Sequence, residues 1–286
     1  MLGGVSPRAL PSHHRPALLG LAVAVCLLAP AAAAGAASVS SNWAGYVATA
    51  RRSFTSVSGV WTEPALSCTP GREGYSAVWV GLGGYGEGSR ALEQAGTDAD
   101  CTRSGHASYA AWYELLPAAP VSVRLTVHAG DQLVAAVTIS GRHVTFGIRD
   151  LTSGARFAKT VRASVIDASS AEWIVEAPSA CASEDSCRTL ALADFGQAAF
   201  AHATATAGRH TGPVGDPAWS ATALELQQRS LLPGSAGGTA RRPQASVVLG
   251  VPSAASPGSG AFSVGWQEHQ LDSELPPAPT LPGGPA

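Results

Sequence analysis

From Val121 to Ile148 the chain alternates apolar and polar positions. Val121, Val123, Leu125 and Val127 interleave with Ser122, Arg124, Thr126 and His128. Leu133, Ala135, Val137 and Ile139 repeat the pattern, and Val144, Phe146 and Ile148 follow. Side chains two apart share one face of a strand, so this period predicts half-buried strands. Gly130-Asp131, Ser140-Gly141 and Thr152-Ser153-Gly154 punctuate the runs about every ten residues, the spacing of an antiparallel sandwich or barrel. Further strands are predicted at residues 57–61, 76–82, 107–116, 170–176, 198–205 and 261–266. Residues 227–260 read as loop-rich, with one strand around 245–249. One short helix is predicted near 188–195, with a turn as its alternative. The expected fold class is all-β, two packed antiparallel sheets in a jelly-roll-like sandwich.

The N-terminal stretch breaks this pattern. Glu63 is the first acid in the chain. Arg8, His13, His14 and Arg15 precede an apolar run over residues 17–29, and small residues fill 31–37. A basic start, a short apolar stretch and a small-residue cleavage region predict a secretory signal peptide. The run is short for a membrane span. An uncleaved anchor is the alternative, while lipid attachment at Cys26 is disfavoured by the large Val25. The expected organisation is a leader over 1–37, one domain over 38–267 and a Pro-rich disordered tail over 268–286. The product is expected outside the cell, free of the membrane once cleaved, as a monomer.

Composition narrows the function. Length 286 allows one or two domains, and one all-β domain can fill it. Charged residues are 13%, Lys159 is the sole lysine, and the net charge is −2, falling to −4 without Arg8 and Arg15. No basic excess exists to neutralise nucleic-acid phosphates. Without Cys26 four cysteines remain, which allow three pairings. Cys181 and Cys187 flank a short polar loop and are expected to pair, leaving Cys68 with Cys101. Their spacings fit no zinc knuckle and the histidines are scattered, so neither metal nor other cofactor is expected.

Common catalytic signatures are missing from the sequence: no Gly-x-Ser-x-Gly elbow, no His-Glu-x-x-His and no P-loop. What remains is carboxylates on aromatic-rich strands. One face is predicted to carry Leu92, Gln94, Gly96 and Asp98, a second Trp112 and Glu114, a third Glu172, Ile174 and Glu176. Glu172 and Glu176 lie ~13 Å apart along a strand, too far for a glycosidase pair by themselves.

These segments resemble a known family. Ser41-Asn42-Trp43-Ala44-Gly45-Tyr46, Val60-Trp61-Thr62-Glu63-Pro64, Trp79-Val80-Gly81-Leu82, Glu93-Gln94-Ala95-Gly96, Trp112-Tyr113-Glu114 and Ala171-Glu172-Trp173-Ile174-Val175-Glu176 follow the order of the eqolisins, glutamic peptidases. The resemblance implies a concanavalin-A-like sandwich and a secreted endopeptidase acting on polypeptides at low pH. By motif it assigns Glu176 and Gln94 as the catalytic pair. It places Trp79 and Trp112 at the substrate cleft, and Asp98 and Glu114 as acids orienting the glutamine. Glu176 would act as general base on a water and Gln94 would donate to the oxyanion. The chain departs from the family at Gly83, at Ala177-Pro178-Ser179 and at Leu115-Leu116, which bears on subsite preference. Trp43 is expected in the core, and Glu172 in a structural or exposed position. The competing readings are a non-catalytic carbohydrate-binding sandwich, with Tyr75, Tyr85 and Tyr109 as a platform, and a glycoside hydrolase using Glu114 and Glu176.

Overall fold

The computed structural model describes residues 37–86, 88–183, 186–229 and 246–267. The predicted leader, the predicted tail and much of the 227–260 segment lie outside these residues. Among the described residues all regular structure is β. The first half of the chain forms β1 (Ser38–Ser40), β2 (Trp43–Thr49), β3 (Phe54–Thr62), β4 (Gly74–Gly83), β5 (Leu92–Cys101), β6 (Ala107–Leu115), β7 (Val121–Val123), β8 (Gln132–Ser140) and β9 (His143–Asp150). The second half forms β10 (Arg156–Arg162), β11 (Ser170–Glu176), β12 (Ser179–Ser183), β13 (Ser186–Thr189), β14 (Gln197–Ala207), β15 (His210–Pro213), β16 (Ser220–Arg229), β17 (Ser246–Pro252) and β18 (Phe262–Trp266).

One hydrogen-bonded ladder runs β10-β9-β8-β3-β14-β18-β17-β16-β2-β11-β4-β5-β6-β7. β1 joins β16 in parallel, β15 joins β14, and β12 with β13 makes a separate hairpin. The ladder folds over on itself, so that β2-β11-β4-β5-β6 lies on β8-β3-β14 and the two expected layers form. Cross-layer contacts hold the fold shut. The Trp173 indole of β11 donates to Ser58 O of β3 at 2.8 Å. A side chain at Gly59 would press on that same ring. Tyr113 of β6 stacks on Phe146 of β9, with centroids 4.9 Å apart, and on Phe157 of β10. Such aromatic pairs add about 0.5–1.5 kcal/mol each beyond their area burial.

β4 departs from simple alternation: nearly all of it is buried. Val78, Val80 and Leu82 enter the core between the layers. Ala77 and Trp79 enter a second apolar cluster on the opposite face, with Val47, Leu92, Trp112 and Ile174. That second face is where the site lies.

The short helix predicted near 188–195 is not formed. The segment continues from β13 as extended chain along β4. Tyr75 N donates to Ala191 O at 2.9 Å, and Ala193 N donates to Tyr75 O at 3.1 Å. Backbone groups that a helix would pair internally are taken by a strand edge instead. Tyr109 is no part of a sugar platform, because it packs against the core between the layers and its hydroxyl donates to Pro64 O.

Cys68 bonds Cys101, and Cys181 bonds Cys187. The first closes 33 residues and the second 6. Replacing Cys68 and Cys101 by Ala is expected to cost ~3–4 kcal/mol, against ~2 kcal/mol for the Cys181–Cys187 pair, if loop closure dominates. Urea unfolding of both double variants measures this, and an equal or inverted pair of losses would contradict it.

Candidate active site

The second face of β4 is a platform with its neighbours in register. Glu176 on β11 stands opposite Ala77, and Gln94 on β5 stands opposite Gly81. The two therefore flank β4 from opposite sides, offset by four positions or ~13 Å along it. Trp79 lies between those positions. Its indole N–H donates to Glu176 Oε2 at 2.9 Å. The far edge of its ring covers Gly81, where an added Cβ would meet Trp79 Cζ3 at 2.9 Å. A Cβ at Gly96, opposite Trp79 on β5, would collide with Val78 O and Trp79 itself. Two glycines thus make the bed for one indole.

Glu176 has a second donor: Asn42 Nδ2 reaches its Oε1 at 3.0 Å. The strand register accounts for this, because Glu176 pairs with Trp43 and Asn42 immediately precedes it. Trp43 stands edge-on to Trp79, with centroids 5.1 Å apart. Contrary to the expectation of a core position, Trp43 is only partly buried and lines the cleft. Burial pushes the Glu176 carboxyl up to about 7. The N–H donors of Trp79 and Asn42 oppose that rise, and the charge of Glu114 adds to it.

Gln94 is buried and its Nε2 donates to Glu114 Oε2. Glu114 stands opposite Gln94 on β6, so the contact is a cross-strand pair. Burial raises the Glu114 carboxyl, and the Gln94 hydrogen bond lowers it. One register step away, Trp112 Nε1 donates to Asp98 Oδ1 at 2.7 Å. Asp98 is pushed up to about 7 by burial and the neighbouring Asp100 charge.

These side chains share one cavity of about 460 Å³, lined by Asn42, Trp43, Gln94, Asp98, Trp112, Glu114 and Glu176 among others. Tyr75, Asp100, Pro178 and Ser179 complete the wall toward the β12–β13 hairpin. Among the described residues none that lines it is basic. Each site residue anticipated from sequence is therefore in or against this cleft, with Trp79 as its fully buried floor. A larger cavity elsewhere, beside β2 and β15, holds none of them.

Sequence reading did not single out Asn42, Asp100 or the roles of Gly81 and Gly96. Asn42 carried a signal only as a member of a motif. Glu172, expected to be structural or exposed, is fully buried, and neither of its carboxyl oxygens has a hydrogen-bond partner among the described residues. Burial holds it well above the ordinary carboxylate range. Glu63 and Glu93 are likewise buried and raised, to about 7 and about 8. Glu63 accepts hydrogen bonds from Trp61 and Thr97 at 3.0 and 2.6 Å.

The sequence profile of the Peptidase A4 family matches residues 41–235. Aspergillopepsin-2 of Aspergillus niger is 31% identical over 214 residues, covering 66% of this chain and 71% of that protein. Among solved structures, scytalido-glutamic peptidase with a peptide-based transition state analog aligns with TM-score 0.61 and 21% identity, over 79% of this chain and 98% of that one. SCP-B, a member of the eqolisin family in complex with the tripeptide Ala-Ile-His, aligns with TM-score 0.58, 20% identity and the same coverage. The fold is that of the eqolisin sandwich.

The buried acids give stability a direction with pH. Glu63, Glu93, Asp98, Glu172 and Glu176 all have raised folded-state values. Their contribution is full below the unfolded carboxylate value of about 4 and is lost as pH climbs through the folded values. Asp150, Asp167 and Asp216 are lowered and act oppositely, at the acid end. The urea midpoint is expected to fall between pH 4 and pH 8, with a shallower fall in Glu172→Gln. A midpoint constant or rising over that range would show that these groups are not protonated in the fold.

Proposed function

Because the chain belongs to the Peptidase A4 family, the eqolisin glutamic peptidases, and so hydrolyses peptide bonds, we propose that Glu176 and Gln94 carry the reaction. The observation behind the assignment is their convergence on one cleft from opposite flanks of β4, each tethered by a separate partner. Glu176, ionised, takes a proton from a water as the water oxygen bonds to the peptide carbonyl carbon. The carbonyl oxygen becomes an oxyanion and accepts a hydrogen bond from the Gln94 amide. When the tetrahedral carbon collapses, the C–N bond breaks. Glu176 gives its proton to the leaving amine and is ionised again.

Glu114 orients the Gln94 amide by holding Nε2, and Trp112 with Asp98 forms the adjoining wall. Trp79 and Asn42 favour the charged form of Glu176, the form a base requires. A glutamine suits the oxyanion position because it donates at every pH, beside carboxyls that do not. The substrates are polypeptides. The proposal includes export behind a leader over residues 1–37 and a single catalytic domain over 38–267. Two disulfides suit an oxidising compartment.

Gln94→Ala is expected to lower kcat by about 10²–10³, the usual loss for an oxyanion donor, and Glu176→Gln by at least as much. Both should keep the far-UV spectrum of the parent. Near-parental cleavage of a denatured protein by either variant would remove that residue from the mechanism.

The acid limb of kcat/KM reports the ionisation of Glu176 in the free enzyme. Its burial places that limb near pH 7, above the ordinary glutamate value of about 4.3. Trp79→Phe deletes one donor to the carboxylate, so the limb should move to higher pH. A limb near 4 would mean that solvent in the cleft, rather than burial, sets the proton affinity of Glu176. A limb unmoved by Trp79→Phe would mean that it belongs to another group.

A further inference from the structure

Two turns far from the cleft each carry adjacent basic residues. Arg51-Arg52 lies between β2 and β3, and Arg209-His210 lies where β14 turns into β15. The register of β14 on β3, with Ala207 opposite Phe54, sets the turns side by side. Gly208 has φ 64°, and Arg52 lies across it: an added Cβ would stand 3.0 Å from Arg52 Cδ. Beside them opens a cavity of about 600 Å³ lined by Arg51, Arg52, His210 and Trp219. An adjoining hollow shares Arg52 and His210 and adds Arg209.

The wall opposite the arginines is fixed. Trp219 is buried, and its indole N–H donates to Pro213 O and Val214 O at 3.1 and 3.0 Å. His210 meets the Trp219 ring edge-on at 5.5 Å, and its Nε2 lies 3.0 Å from Asp216 Oδ2. Asp216 is thereby engaged by His210. Arg51, Arg52 and Arg209 form no ion pair among the described residues. In a chain of net charge −2, Arg51 and Arg52 line one hollow and Arg52 and Arg209 the adjoining one, with no ion-paired carboxylate among the described residues.

Like charges brought together oppose folding unless a counter-charge joins them. Guanidinium forks match oxyanions bidentately, and three of them exceed what a single carboxylate can neutralise. We propose that these two adjoining hollows, joined at Arg52, form a binding site for a multiply charged oxyanion of the phosphate class, carried free or on a phosphorylated polymer. Thr49 lines the first hollow and Trp43 lines the cleft, six residues or ~20 Å apart along β2. Occupancy therefore leaves the peptide-cleaving cleft open, and the site would tether the enzyme or its surroundings while cleavage proceeds.

Calorimetric titration of the whole protein with inorganic pyrophosphate tests this. The parent should bind one pyrophosphate saturably, more weakly as salt rises. Arg52→Ala/Arg209→Ala should weaken binding by at least about tenfold, the loss expected for bidentate charged contacts, with cleavage of an uncharged peptide unchanged. Repeating the titration with a short phosphorylated polymer and with free phosphate separates the two sources. Absence of pyrophosphate binding, or equal binding by the double variant, would overturn the site. Equal affinity for a polyglutamate of matching charge would overturn the phosphate class.

Discussion

The site rests on where one indole can lie. Trp79 sits on the central strand of its layer, with Gly96 across from it on one neighbour and Gly81 two residues along its own strand. A methyl group at either position would push the ring away or part the strands. With the ring in place, its N–H points at Glu176, and its far edge lies over Gly81, the residue opposite Gln94. The separation of the two polar groups is then set by the size of a tryptophan and the rise of a strand. Their spacing is a property of the sheet rather than of any loop.

The second organising feature is an economy of carboxyls without cations. The cleft collects Asp98, Asp100, Glu114 and Glu176, and the interior holds Glu63, Glu93 and Glu172. The only ion pairs among the described residues involve His128 and His210. Burial without a cation pushes most of these carboxyls toward the neutral form, and where they find hydrogen-bond partners these are hydroxyls, indoles and amides. The same arrangement thus favours, for the stability of the fold, conditions in which most of these acids hold their protons, while catalysis asks Glu176 to give up its own. The low charge content seen in the sequence is the surface counterpart of this choice.

Much of the platform was legible in the sequence because strand side chains alternate with a period of two. The faces of β5, β6 and β11 followed from spacing, and the loop between Cys181 and Cys187 gave its own closure. What could not be read was register between distant strands. Asn42 meets Glu176 only because β2 and β11 pair, 134 residues apart along the chain. Trp43 reads as a core residue on composition, yet it ends a strand at the cleft wall. Glu172 carries a charge, and nothing local reveals that two strands and an apolar layer enclose it. The segment near 188–195 has helix-forming residues, but the free edge at Tyr75 claims its backbone.

Among the described residues the main path of the ladder ends at two strands. One is β7, three residues long; the other is β10, which carries Arg156, Lys159 and Arg162. Short length and outward positive charge are the features that discourage a foreign strand from adding to a sheet. For an enzyme whose substrates are extended polypeptides, this has practical weight. A peptide that docked along an edge would be held by the same backbone bonds as a native strand and would not be cut. With both path ends uninviting, the cleft face is favoured as the place where an extended chain can be received and released.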